Sequence, residues 1–262
     1  MEHARINNAD LHYADQGPKD GPVVMFANSL GTDFRVWDTF LPHLPAGLRI
    51  VRYDKRGHGL SEETSGPYTI EQLADDAAGL ILHLQLRDVV FVGLSIGGLI
   101  GQSLAARHGD LLRGLVISNS AAKIGDAQMW RDRVAAIRAN GLASIGATTM
   151  ERWFSPAFRA SGHAAPWQRM LERQPLNGYA ACCEAIAAAD LRSSSAKLSL
   201  PVQLIAGDLD GSTPPQIVQE TAELIPGARM DIVHGAGHIP CVEAPEAHAA
   251  ILIRFFKEIG HV

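Results

Sequence analysis

The sequence predicts an α/β fold: one open, mostly parallel sheet with helices on both faces and an all-helical insertion. Three observations carry that expectation. Short β-branched runs alternate with helix-length segments; the runs are mostly apolar throughout; and one stretch, from about 121 to 196, has no convincing strand. Strands covered on both faces call for continuous apolar runs, and strand–helix–strand alternation gives right-handed crossovers in a parallel sheet. A chain of 262 residues, 47% hydrophobic, can bury one large core of this kind. Residues 1–120 and 197–262 are therefore expected to form the core domain, and 121–196 a helical cap over one end of the sheet.

Taken in order, RINNADLHYAD reads as a short antiparallel hairpin on the sheet's edge. The strands follow as VVMFANS (Val23–Ser29), LRIVRYD (Leu48–Asp54), VVFVGLS (Val89–Ser95), LRGLVISNS (Leu112–Ser120), PVQLIAGD (Pro201–Asp208) and ARMDIVHG (Ala228–Gly235). Between the second and third of these lies the amphipathic stretch IEQLADDAAGLILHLQ, with Thr69 as its N-cap and acids in its first turns. In the insertion, MWRDRVAAIRANGLASIGATTMERWF and ACCEAIAAAD read as helices.

Composition excludes several functions. A net charge of -5, with no cluster of Lys and Arg interleaved with aromatics, gives no footprint for nucleic acid. No apolar run approaches the ~20 residues of a membrane span. The opening MEHARINNADLHYADQG lacks the basic-then-apolar pattern of a signal peptide. Three cysteines (Cys182, Cys183, Cys241) form no CxxC pair and are odd in number, against a disulfide framework. The expected compartment is the cytoplasm. The sequence carries no signal for an oligomeric state.

The segment GLSIG, Gly93 to Gly97, sets a serine where a strand meets a helix. A sharp strand-to-helix turn lifts the apical side chain clear of the sheet, and glycines on either side avoid the collisions a Cβ would cause. The helix IGGLIGQSLAARHG starts beside Ser95, so its free N–H groups and positive dipole end face any developing oxyanion. Phosphate-cradling loops are the rival reading, but neither the Walker A nor the G-x-G-x-x-G pattern fits.

A serine needs a base and an orienting acid. LIAGDLDGSTPP ends a strand with Asp208 and Asp210; VHGAGHIPCVEAPE follows the last strand with His234 and His238. Both lie at carboxyl ends of parallel strands, where such groups gather. Gly235 and Gly237 let His238 swing towards the sheet, whereas His234 still belongs to the strand and is expected to be packed. The pair His234-x3-His238 lacks a helix to align both rings on a metal, so no metal site is expected.

Over essentially its whole length the chain resembles the α/β-hydrolase fold enzymes. YDKRGHGLSE matches that family's D-x-R-G-x-G-x-S loop through Asp54, Arg56, Gly57, Gly59 and Ser61, and GLSIGG its nucleophile elbow. GDLD matches the acid site and selects Asp210 over Asp208; GAGH matches the histidine loop and selects His238. The resemblance implies an α/β-hydrolase fold with Ser95 as nucleophile, His238 as base and Asp210 as its orienting acid. It implies a structural role for the 54–61 loop, with no catalysis assigned to Arg56 or His58.

Where many members carry His-Gly, this chain has Asn28-Ser29-Leu30-Gly31. With NSLGTD…W, YDKRGHGLS and GLSIGGLIGQ, it closely resembles the 3-oxoadipate enol-lactonases of aromatic-compound degradation. That likeness implies a small-molecule substrate, a five-membered enol-lactone bearing a carboxymethyl arm, and no metal or organic cofactor. It pairs the backbone N–H groups of Leu30 and Ile96 as the oxyanion hole. Whether Asn28 and Ser29 touch substrate or shape the turn stays open.

An enclosed carboxylate needs a cationic or strong hydrogen-bonding partner. The insertion supplies Lys123, Arg131, Arg133 and Arg138, with Trp130 and Trp153 able to wall a small ring. Arg133 lies three residues after Trp130, so both can face one side of a helix. Arg133 and Trp130 are the expected substrate contacts, with Asn28 or Ser29 helping from below. Alternatives are another carboxylesterase, a carbon–carbon bond hydrolase of the same fold, or a small-molecule receptor with slow turnover. A dehalogenase of this fold would have an aspartate in place of Ser95.

Overall fold

The computed structural model describes residues 2–262. Eight strands form one sheet: β1 (Glu2–Ile6), β2 (Ala9–Gln16), β3 (Val23–Ala27), β4 (Arg49–Tyr53), β5 (Val89–Leu94), β6 (Leu112–Ser118), β7 (Val202–Gly207) and β8 (Arg229–Val233), in the spatial order β1-β2-β4-β3-β5-β6-β7-β8. β1 and β2 form the expected edge hairpin, turning at Asn7 and Asn8, whose φ values of 46° and 65° suit asparagine. β2 runs antiparallel to β4, and every later pairing is parallel. Every residue of β3 and β5 is buried, which is why their sequences are apolar without alternation.

The helices are α1 (Ile70–His83), α2 (Ile96–His108), α3 (Ala127–Asn140), α4 (Gly146–Trp153), α5 (Pro156–Ala160), α6 (Ala165–Glu172), α7 (Leu176–Ala188), α8 (Arg192–Ser195), α9 (Pro215–Leu224), α10 (Pro240–Glu243) and α11 (Pro245–Glu258). Thr69 caps α1 as expected, its hydroxyl accepting from Gln72 N–H at 3.1 Å. α3 to α8 fall between β6 and β7, with no strand among them. The ends of this insertion are tied by Leu191 N–H donating to the Ala122 carbonyl at 2.8 Å. The helical reading of 129–154 needs one correction. The helix breaks at Gly141, whose φ of 75° no helix accommodates, and α4 starts afresh after a short 3₁₀ turn. None of the described helices is long and apolar enough to cross a membrane.

Connections run outward in opposite directions from β3 and β5, neighbours in space. That reversal opens a crevice beyond their carboxyl ends, where open α/β sheets place ligands. The loop after β3 carries Leu30, and the turn after β5 carries Ser95 and Ile96.

Candidate active site

Ser95 occupies the turn between β5 and α2 with φ 58° and ψ −118°, a region that non-glycine residues avoid. The neighbours make the turn possible. A Cβ on Gly93 would collide with the Gly97 carbonyl, and one on Gly97 with the Ala27 carbonyl of the adjacent strand. Ser95 N–H is fixed by the Ser118 carbonyl of β6 at 2.9 Å, while the Ser95 carbonyl accepts from Gly98 at 2.8 Å. Ile96 opens α2, so its N–H has no intrahelical acceptor and remains available at the crevice.

Ser95, His238, Leu30 and Ser29 line one cavity of about 300 Å³, roofed by the insertion. Its walls include Ile124, Trp130, Ile145, Trp153 and Tyr179, with Arg133 and Arg152 as the cations.

His238 Nδ1 stands 2.8 Å from Asp210 Oδ2, and both residues are buried. A carboxylate only accepts, so the proton sits on Nδ1 and Nε2 is left as the basic nitrogen. Asp210 is itself held by many donors. Oδ1 accepts from the N–H groups of Ser212 (2.7 Å) and Thr213 (2.9 Å); Oδ2 accepts from the Thr213 hydroxyl (2.7 Å) and Asn119 Nδ2 (3.0 Å). Burial alone would raise the carboxyl's pKa, but the charge and hydrogen bond of His238, with those of Asn119 and Thr213, outweigh it and hold the pKa below the ordinary aspartate value.

The insertion grips these two loops through the end of α4. The last carbonyls of a helix have no intrahelical partner. Here the Trp153 carbonyl accepts from His238 N–H at 2.7 Å, and the Arg152 carbonyl from Gly211 N–H at 3.1 Å.

The competing pair is elsewhere. β8 ends at Val233, so His234 lies beyond the strand and is exposed, against the expectation that it is packed. Its Nδ1 is 3.0 Å from Asp208 Oδ2, and Asp208 Oδ1 accepts from Gly235 N–H at 2.7 Å. Neither residue lines the cavity. Among the described residues no three His, Cys, Asp or Glu side chains are grouped as a metal site.

Asn28 requires a second correction. It does not line the cavity: Nδ2 donates to the Tyr53 carbonyl at 3.1 Å, and Oδ1 accepts from Trp37 Nε1 at 3.1 Å, so it shapes the turn. Ser29 does line the cavity, and its buried hydroxyl has no partner among the described residues. Trp130 and Trp153 form walls, Trp130 tied by Nε1–H to the Ile124 carbonyl at 2.8 Å. Arg133 faces the cavity but is already engaged, donating to the Tyr179 hydroxyl (2.7 and 2.9 Å) and the Thr149 hydroxyl (3.0 Å). Lys123, Arg131 and Arg138 point elsewhere, onto Asp190, Gln128 and Glu184.

Arg152 is the cation that sequence reasoning passed over. Among the described residues its guanidinium has one partner, the Gly211 carbonyl, 3.2 Å from Nε. Burial, and next the charge of Arg133, push its pKa down. Asn119, which donates to Asp210, was also missed, although its position just past β6, beside the end of β5 that leads into Ser95, could have suggested it.

Residues 22–245 match the sequence profile of the α/β hydrolase fold family. The chain belongs to that family. Among α/β hydrolases it is 38% identical over 251 residues to "3-oxoadipate enol-lactonase 2" of Acinetobacter baylyi, covering 94% of each chain. It is 34% identical over 245 residues to "3-oxoadipate enol-lactonase 1" of the same organism, covering 93% of this chain and 91% of that one. The crystal structure of the enol-lactonase from Burkholderia xenovorans superposes with a TM-score of 0.94 at 36% identity, over 98% of this chain and all of the other.

Proposed function

We propose that this α/β hydrolase opens 3-oxoadipate enol-lactone to 3-oxoadipate through an acyl-enzyme on Ser95, in the breakdown of aromatic compounds. One observation carries the reading beyond its relatives' names: in the cavity that holds Ser95 and His238, two guanidinium groups, Arg133 and Arg152, stand close enough for their charges to interact, among mostly apolar walls that also carry Asp132. Two like charges in a half-buried space repel each other, and a bound carboxylate relieves that repulsion. The substrate's carboxymethyl arm supplies such a group.

Ser95 Oγ attacks the lactone carbonyl while His238 Nε2 takes its proton and Asp210 holds the imidazole's orientation and charge. The developing oxyanion receives the N–H groups of Leu30 and Ile96. The ring C–O bond breaks, the leaving enol oxygen takes the proton back from His238, and the enol tautomerises to a ketone. Water, deprotonated by His238, then adds to the acyl carbonyl; the Ser95 Oγ–C bond breaks, Oγ takes that proton back from His238, and the acyl group leaves as the second carboxylate. This sequence asks for no metal or organic cofactor. Residues 121–196 act as the cap that encloses the lactone, Trp130 and Trp153 bounding its ring and the Ser29 hydroxyl reaching it from below. Arg152, whose Nη groups have no partner among the described residues, is the principal anchor for the carboxylate, and Arg133 assists.

The test is a hydrolysis panel containing the enol-lactone and an uncharged aryl ester. The wild-type protein should turn over the lactone many times per chain. Arg152→Gln should lose about ten- to a hundredfold in kcat/KM on the lactone, the effect of one charge-assisted hydrogen bond of ~1.5–3 kcal/mol, with little change on the aryl ester. Equal losses on both would mean that Arg152 holds the cap, and stoichiometric binding without turnover would mean a receptor.

A further inference from the structure

We propose that Lys55 and His58 are positioning residues for the oxyanion hole: from behind, they fix the two peptide planes on either side of Leu30. The inference rests on the reading of Leu30 N–H as an oxyanion donor and adds how that donor is aimed.

The chain after β4 passes beneath the loop after β3. Lys55 is buried, 3% exposed, with Nζ donating to the Ser29 carbonyl at 2.8 Å; the Thr32 hydroxyl donates to the same carbonyl at 3.0 Å. The Ser29–Leu30 peptide is trans, so this carbonyl and the Leu30 N–H point in opposite directions. Drawing the carbonyl down onto Lys55 turns the N–H up towards the cavity that Leu30 lines with Ser95. The next peptide is fixed too, because Gly31 N–H donates to His58 Nε2 at 3.0 Å. That bond requires an unprotonated Nε2, so the His58 proton sits on Nδ1, 3.9 Å from Cys182 Sγ.

Other side chains tie the loop of Lys55 and His58 to its surroundings. Asp54 accepts from Leu60 N–H (3.0 Å) and from Phe34 N–H (2.8 Å), and Arg56 binds Asp76 through Nε (2.6 Å) and Nη2 (2.7 Å). Burying a further cation opposes folding unless it serves something else. An ammonium at the carbonyl end of a peptide also polarises its N–H, strengthening the donor as negative charge develops opposite it. The ionisable groups around Lys55 are Cys182, Asp54 and Asp33, with His58 beside them. Burial pulls the Lys55 pKa down to about 8, against the pull of those acids. Burial, and then the Lys55 charge, keep His58 well below the ordinary histidine value, as its acceptor role needs.

The experiment is steady-state hydrolysis of p-nitrophenyl acetate by the wild-type chain and Lys55→Met, with active sites counted by phosphonate labelling and folding followed by circular dichroism. An oxyanion exists only in the transition state, so the loss should fall on kcat, by about 10- to 100-fold, with KM nearly unchanged. Wild-type kcat should fall as pH rises through about 8 while the fold persists, and Lys55→Met should lack that decline. A kcat within about twofold of wild type per labelled site overturns the proposal. Should Lys55→Met not fold, His58→Leu is read in the same way, and a kcat within about twofold of wild type per labelled site again overturns the proposal. Ser95→Ala separates the two readings: if it still hydrolyses the ester, the acyl-enzyme reading itself fails, whereas a dead Ser95→Ala beside a fully active Lys55→Met removes only the role of Lys55.

Discussion

Two aspartate–histidine pairs hang from the same two strands of this protein, and only one has its histidine in the cavity with Ser95. Asp208 with His234 and Asp210 with His238 each span the β7 and β8 loops, at 3.0 and 2.8 Å. Their residue types, contact atoms and chain separations nearly coincide. Their surroundings do not. The His234 side chain is 83% exposed and that of His238 2%. An exposed pair is screened by water and contributes little, whereas a buried pair with every carboxylate lone pair satisfied holds one geometry and one tautomer. What separates the two pairs is what encloses them.

That contrast can be broken by substitution. His238→Ala should abolish turnover, with a loss approaching the ~10⁶ found when a base of this kind is removed elsewhere; kinetics on the enol-lactone and the aryl ester should agree. Asp210→Asn keeps the shape but can stabilise the wrong imidazole tautomer, and a loss of about 10⁴ in kcat is expected.

A subtler difference lies in acid stability. The folded Asp210 carboxyl titrates below its ordinary value, so its contribution is complete above about pH 4 and disappears as pH falls through the folded value. The stability gap between wild type and Asp210→Asn, read from urea melts, should therefore narrow as the medium is acidified. A constant gap would place the protonation elsewhere. At the bottom of the scale, Asp208→Asn and His234→Ala should each leave kcat/KM within about twofold, as surface changes away from a site usually do. If either proved as damaging as its buried counterpart, the assignment of roles would have to be exchanged.

What the sequence made legible follows from the range of the forces involved. The strand runs, the Thr69 cap and the Gly93–Ser95–Gly97 turn are local: side-chain periodicity, one cap bond and the room around one apex decide them. Spacing alone could not separate Asp208 from Asp210, because both end the same strand; resemblance to a family made that choice. The direction of His234 depended on where β8 stops, and element ends are poorly specified locally. Arg133 was expected at the cavity and lies there, but its guanidinium is engaged by Tyr179, a residue 46 positions away. Arg152 gave no local sign of its freedom, since that depends on how α4 docks onto the β7 loop.

The bond from His238 N–H to the Trp153 carbonyl bears on how such proteins can be remodelled. A cap that merely sat above a crevice could be exchanged between relatives like an interchangeable part, altering which molecules are admitted and leaving the chemistry untouched. Here the last turn of α4 also holds His238 and, through Gly211, the loop of Asp210. A chimaera that replaced residues 121–196 wholesale would inherit a histidine loop cut to another template. One whose junctions retained 152–155 would carry those bonds with it. The insertion and the His238 loop share backbone bonds in this protein, so a graft intended to change the first also shifts the second.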